Sequence, residues 1–142
     1  MKKLLCILCI LSSFAFATPA EVFAKLGYQP TYAKALEVAK QKNRPIMVVF
    51  REKTCPWCRK LEQQVLKREI INTKVQANFI AIVLESHDDI YPKKFKQAIF
   101  PTVVFVNSKD ESVILTSYGY KPKKEFSKVI DEVVQKYKGM KQ

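Results

Sequence analysis

Ile46-Met47-Val48-Val49-Phe50-Arg51-Glu52-Lys53-Thr54-Cys55-Pro56-Trp57-Cys58 joins five apolar residues to two thiols three positions apart. Ile46 to Phe50 reads as a short buried strand. After Cys58, apolar residues recur at Leu61, Val65 and Leu66, the spacing of one helix face. Cys55-Pro56-Trp57-Cys58 thus sits where a strand ends and a helix begins, and a C-x-x-C at such a junction reads as a redox motif. On a helix's first turn, unpaired backbone N–H groups and the positive end of the macrodipole stabilise a thiolate, the reactive form of cysteine. Pro56 suits an early helical position, having no N–H to leave unsatisfied and a φ already near helical. The arrangement predicts a nucleophilic Cys55. Lys53, Arg59 and Lys60 add positive charge around it.

Outward from this junction, Thr31 is the predicted N-cap of a helix running to about Lys42, and Asn43-Arg44-Pro45 ends it before the strand. The helix opened by Cys55 is predicted to reach about Ile71. Phe79 to Leu84 is a second strand, almost wholly apolar and therefore expected to be central. Asp88 to Ala98 is predicted to hold a short helix with Phe95. Val103 to Val106 and Val113 to Leu115 are strands joined by the polar turn Asn107 to Glu111, a hairpin. Phe126, Val129, Ile130, Val133, Val134 and Tyr137 mark one face of a last helix. The order is β-α-β-α-β-β-α with an extra helix in front.

The ends of the chain bound where it works. Lys2 and Lys3, an apolar run from Leu4 to about Leu11 and Ala15-Phe16-Ala17 make residues 1–17 a signal peptide, leaving 18–142 as one domain. The apolar run is shorter than the ~20 residues of a spanning helix, so cleavage is preferred to a retained anchor. Leu8 before Cys9 does not suit lipid attachment. Cleavage would discard Cys6 and Cys9, a second C-x-x-C, and leave Cys55 and Cys58 as the mature thiols, able to bridge only to each other within a monomer. The net charge of +12, two units of it from Lys2 and Lys3, fits a lysine-rich solvated surface. It would also favour acidic partners or an anionic membrane surface. No nucleic-acid-binding module is recognisable, and nucleic acid is not an expected partner.

From Arg44 to Tyr137 the chain resembles the thioredoxin-like superfamily, specifically small exported proteins related to the catalytic domains of bacterial disulfide isomerases. The resemblance rests on Arg44-Pro45-Ile46-Met47-Val48-Val49-Phe50, the C-P-W-C motif followed by Arg59-Lys60-Leu61, and Phe100-Pro101-Thr102 before a hairpin. It implies an α/β thioredoxin-like fold, with a four-stranded mixed sheet flanked by helices and the dithiol at the strand-to-helix tip. It further implies that Pro101 is cis and packs on the active-site disulfide, that Cys55 exchanges with partners, and that the more buried Cys58 resolves the mixed disulfide. Phe100 would flank the groove that receives a client chain, and Trp57 is read as an apolar platform for it in preference to a shield over the disulfide. The pair Pro56-Trp57 is closest to the Pro-aromatic pair of glutaredoxins and of one class of periplasmic isomerase.

One departure concerns proton transfer. Where thioredoxin has an acidic residue six positions before the first cysteine, this chain has Val49, and Glu52 is the nearby acid able to act through water. The implied activity is periplasmic protein thiol–disulfide exchange without a cofactor. Its partners would be disulfide-bearing client proteins and a membrane redox relay acting as electron donor or acceptor. The chain has neither a dimerisation domain nor room for a helical insertion, so a monomeric reductase or isomerase is expected ahead of a disulfide-forming oxidase. Two other classes stay open on the residues alone. One is a metal or copper-delivery site using Cys55, Cys58 and His87, which lacks a clear fourth ligand. The other is a binding module with a structural disulfide.

Overall fold

The computed structural model describes residues 18–87 and 89–141. The leader read at 1–17, with Cys6 and Cys9, lies outside the described residues, as does Asp88. The chain runs α1 (Pro19–Lys25), α2 (Tyr32–Lys42), β1 (Ile46–Arg51), α3 (Pro56–Leu61), α4 (Glu69–Asn78), β2 (Ile80–Glu85), β3 (Thr102–Val106), β4 (Val113–Tyr118) and α5 (Lys123–Met140). One sheet holds the four strands in the order β2-β1-β3-β4. β1 pairs in parallel with β2 and antiparallel with β3, and β3 with β4 is the hairpin. The mixed sheet flanked by helices is the expected thioredoxin-like architecture.

β1 is apolar throughout because it lies inside the sheet with both faces covered. Met47 and Val49 point into a cluster with Leu61, Val65, Phe126, Ile130 and Val133. Ile46, Val48 and Phe50 point the other way, against Tyr32, Ala35, Ala39 and Phe95. β2 was expected to be central for the same reason, yet it ends the sheet order. The helices on its two faces, and the bond from the Gln29 N–H to the Ala81 carbonyl (2.8 Å), explain its apolar sequence. On α5, Phe126, Ile130, Val133 and Tyr137 are the buried stripe, as their spacing predicts.

Three elements differ from the sequence expectation. The helix predicted from Cys55 to Ile71 is broken: α3 widens into a π-helical turn at Glu62–Leu66, and α4 begins afresh after Arg68. The apolar spacing at Leu61, Val65 and Leu66 runs through that turn, so it could not reveal the change in winding. The helix expected between Asp88 and Ala98 is reduced to a single 3-10 turn, Lys93–Phe95, preceded by Pro92. Two helices precede β1 rather than one. α1 carries a local signature in Thr18-Pro19-Ala20-Glu21: the Thr18 hydroxyl accepts the Glu21 N–H at 3.3 Å and the Glu21 carboxylate accepts the Thr18 N–H at 2.7 Å, a capping box.

Candidate functional site

β1 delivers the chain to one end of the sheet, and Glu52-Lys53-Thr54 turn it into α3. Cys55 is the N-cap of that helix, with extended backbone (φ −96°, ψ 104°), and Pro56 takes the first helical position. The Cys55 sulfur itself acts as the cap, accepting the Cys58 N–H at 3.1 Å. Cys55 and Cys58 are joined by a disulfide, their Cα atoms 5.2 Å apart. The two sulfurs are unequally placed: Cys55 is partly exposed, whereas Cys58 is 1% exposed.

Trp57 projects from this tip, 54% exposed. Its ring lies 5.8 Å from that of Tyr120, and the Lys60 ammonium sits 4.8 Å from both ring centroids. A cation over exposed rings contributes about 0.5–1 kcal/mol. Tyr120 is also held by its hydroxyl, which donates to Gln64 Oε1 at 3.1 Å. Trp57, Tyr120, Phe100 and Gly119 line a shallow cavity of about 360 Å³ beside the disulfide tip. The Phe100–Pro101 peptide bond is cis, Phe100 is half-buried and Pro101 is buried. Gly119, whose φ of +71° favours glycine, donates its N–H to the Pro101 carbonyl at 2.8 Å and fixes this loop to the end of β4.

The remaining predicted residues lie around the turn. The carbonyl of Lys53 accepts from the Arg59 guanidinium at 3.5 Å, and the carbonyl of Glu52 accepts the Cys55 N–H at 3.3 Å. The Glu52 carboxylate faces His87 Nε2 at 2.8 Å. His87 is therefore engaged with Glu52. Among the described residues, no group of three or more His, Cys, Asp or Glu side chains is placed to hold a metal.

The sequence reading missed a buried charged cluster behind the tip. Arg51, the last residue of β1, is 6% exposed, and its guanidinium meets the carboxylates of Glu62, from the π turn, and Glu85, at the end of β2. The Arg51 Nε to Glu62 Oε1 contact is 2.5 Å but lacks the angle of a hydrogen bond, so it holds as an ion pair. Glu62 is 4% exposed. Burial raises its pKa, and the charges of Arg51 and Lys67 only partly oppose that rise. The sole sequence signal was position: Glu62 stands four residues after Cys58, on the same side of the helix.

A mixed four-stranded sheet with a dithiol at the start of a helix defines a thioredoxin-like protein, a fold related to thiol–disulfide oxidoreductases. The family model of the thioredoxin-like domain matches residues 32–134, and the chain belongs to that family. It is similar to a thioredoxin from Thermus thermophilus, with 23% identity and a TM-score of 0.68 over 79% of this chain and 90% of that one. A structure described as DsbH oxidoreductase aligns with 19% identity and a TM-score of 0.60, covering 84% of this chain and 92% of its own. At these identities the likeness is one of fold. Mouse spermatogenesis-associated protein 20 is 28% identical over 63 residues, which is 44% of this chain and only 8% of that relative's length.

Proposed function

We propose that this protein is an exported thiol–disulfide oxidoreductase that reduces or isomerises disulfides of client proteins through Cys55 and Cys58. The observation that carries the reading is the unequal placement of the two sulfurs, one reachable at the cap of α3 and the other buried behind it. In the reduced protein the Cys55 thiolate attacks a client disulfide. One client sulfur leaves as a thiolate and takes a proton from water, while Cys55 keeps the other in a mixed disulfide. Cys58 then attacks the Cys55 sulfur, the second client thiolate departs, and the Cys55–Cys58 disulfide remains. The client has gained two electrons, which a membrane relay must return to the pair. In isomerisation the client's own thiolate attacks the mixed disulfide instead, and no net electrons pass.

The cavity walled by Trp57, Phe100, Gly119 and Tyr120 receives the client segment beside its cysteine. Export to the periplasm rests on the leader sequence at 1–17, and the catalytic unit is a monomer. Among the described residues no helix is long and apolar enough to cross a membrane.

Two measurements test the reading. The protein is expected to accelerate insulin reduction by dithiothreitol, and thiol trapping in intact cells is expected to find Cys55 and Cys58 largely reduced. Failure to accelerate either insulin or a second disulfide substrate would remove the enzymatic assignment. A largely oxidised pair would reverse the direction and make the protein a disulfide-forming oxidase. The Pro-Trp dipeptide further places the potential of the pair above about −270 mV and below about −120 mV. Equilibration with glutathione buffers measures it, and a value outside that window contradicts the placement.

A further inference from the structure

β2 ends the sheet, and its outer edge is only partly covered. Ile80 and Ser86 donate their N–H groups to the Pro45 and Arg51 carbonyls, on the β1 side, each at 2.9 Å. Ala81 instead accepts the Gln29 N–H at 2.8 Å, and the Glu85 N–H donates to Asp89 Oδ2 at 2.6 Å. Successive peptide groups of a strand alternate between its two edges, so Ala81, Val83 and Glu85 all face outward. Gln29 and Asp89 close the two ends of this edge. Between them, among the described residues, no hydrogen bond reaches the N–H or the carbonyl of Val83. Pro30, next after Gln29, has no N–H with which to continue the pairing. An edge of this kind is a template for another extended chain.

Beside Val83 lies a groove of about 400 Å³ between α1 and β2, a size typical of ligand sites. Phe23, Tyr28, Pro30 and Val83 make it largely apolar, and its acidic groups are Glu21, Glu85 and Asp89. No lysine or arginine lines it, in a chain whose net charge is +12. Arg51 offsets Glu85, and Lys67 lies over the Phe23 ring at 5.8 Å, outside the lining. Glu21 and Asp89 each commit one carboxylate oxygen, to the Thr18 and Glu85 N–H groups, and keep the other. Tyr28 is 4% exposed, and its hydroxyl is buried without a hydrogen-bond partner among the described residues. Such a donor favours an occupant rich in carbonyl acceptors, which a polypeptide is.

We propose that the outer edge of β2 docks an extended segment of an unfolded client chain, one that sets an apolar side chain beside a lysine or arginine. The segment's backbone pairs with Val83, its apolar side chain enters the groove, and its cation meets the acidic rim. In strand addition of this kind the main-chain bonds supply affinity and the pockets supply selectivity. The carboxylates turn away acidic segments. β2 runs parallel to β1, so the two strands finish at the same end of the sheet, the end that carries the dithiol. Glu85 borders the groove and also a smaller recess with Glu52, Lys53, Thr54 and His87, on the turn that leads into Cys55. A client held at this edge is therefore tethered close to the exchanging sulfur, which raises the effective concentration of its own disulfide. That role in client capture rests on the exchange proposed above; the docking itself does not.

The test is an NMR titration of the isotopically labelled mature protein, in its Cys55–Cys58 disulfide form, with acetyl-Lys-Val-Thr-Val-Lys-amide. The peptide is expected to bind with a Kd below about 1 mM, to shift the Val83 amide resonance and to slow its exchange with solvent. Acetyl-Glu-Val-Thr-Val-Glu-amide should bind about tenfold more weakly or worse, and binding of the lysine peptide should weaken as salt rises. Glu21→Gln combined with Asp89→Asn keeps both capping acceptors and removes both charges, and it should erase most of the difference between the two peptides. Shifts confined to Trp57, Phe100 and Tyr120 would place the peptide in the dithiol cavity and overturn the proposal. So would an unmoved Val83, equal affinity for the two peptides, or butylammonium binding as tightly as the peptide, which would make the groove a site for small cations. Val83 shifts that follow protein concentration without any peptide would give the edge to a second copy of the chain and equally refute it. Should the double variant fail to fold, the charge-reversed peptide and the salt series on the wild type decide. The protein is oxidised and the peptides carry no sulfur, so docking found beside failed insulin reduction would sink the oxidoreductase reading and leave the docking site standing.

Discussion

Cys55→Ser is expected to abolish turnover, leaving insulin reduction at the rate of dithiothreitol alone. A hydroxyl in the cap position can still accept the Cys58 N–H, so the start of α3 survives and the fold is retained. What disappears is the nucleophile, since exchange runs through a thiolate and a serine hydroxyl is not ionised at neutral pH. Cys58 cannot take over, because it is buried behind the tip. Cys58→Ala has a different signature with an equal loss of turnover. Cys55 still attacks, no internal sulfur releases the product, and mixed disulfides with client proteins accumulate. Trapping with acid and separation on non-reducing gels shows them, and a second substitution at Cys55 should erase every band. In the wild type, the attack rate should rise with pH as the thiolate forms and level off below the about 8.5 of an ordinary thiol. Adducts surviving without Cys55, or a plateau at or above that value, would assign the nucleophile wrongly.

The chemistry was legible because it is local. Two thiols at one spacing, a proline between them, and the change from a continuous apolar run to helical periodicity all lie within residues 46–66. Strands buried on both faces announce themselves by composition, and α5 by its stripe. Features set by distant partners stayed hidden. Glu62 reads as an ordinary helical glutamate until Arg51, eleven residues earlier, and Glu85, in another strand, are folded against it. Trp57 is exposed at the tip, and the ring beside it belongs to Tyr120, which the sheet and not the motif brings there. The π turn escaped for a related reason. Inserting it shifts winding without disturbing which residues are apolar, and Val65 and Leu66 within it stay buried. Between Glu85 and Phe100 the error ran the other way. A short helix with Phe95 was expected there, yet Phe95 packs into the core from a single 3-10 turn while Ile90 and Ile99 on either side are exposed.

Arg51→Met is expected to destabilise the protein by about 3–5 kcal/mol near pH 8, the usual cost of leaving a buried charge without its partner. Methionine keeps much of the volume, so the loss is electrostatic rather than a cavity effect. Glu85 can turn to water, but Glu62 cannot. The sign of the pH dependence follows from the raised pKa of Glu62. A carboxyl that holds its proton more tightly in the folded state contributes full stability below its unfolded value, ordinarily 4.5, and loses that contribution as pH climbs through the raised value. Arg51 lowers the pKa of Glu62, so its removal lifts that value further and extends the loss to higher pH. The deficit of the variant against wild type should therefore be smallest in acid, where Glu62 is neutral in both proteins, and grow with pH. Urea unfolding at a series of pH values measures it. A deficit near pH 8 below about 1 kcal/mol, the size of an exposed pair, would deny the buried pair its structural weight, as would a deficit that grows toward acid. The double variant Arg51→Met with Glu62→Gln should regain most of the lost stability, because a neutral buried pair carries no uncompensated charge.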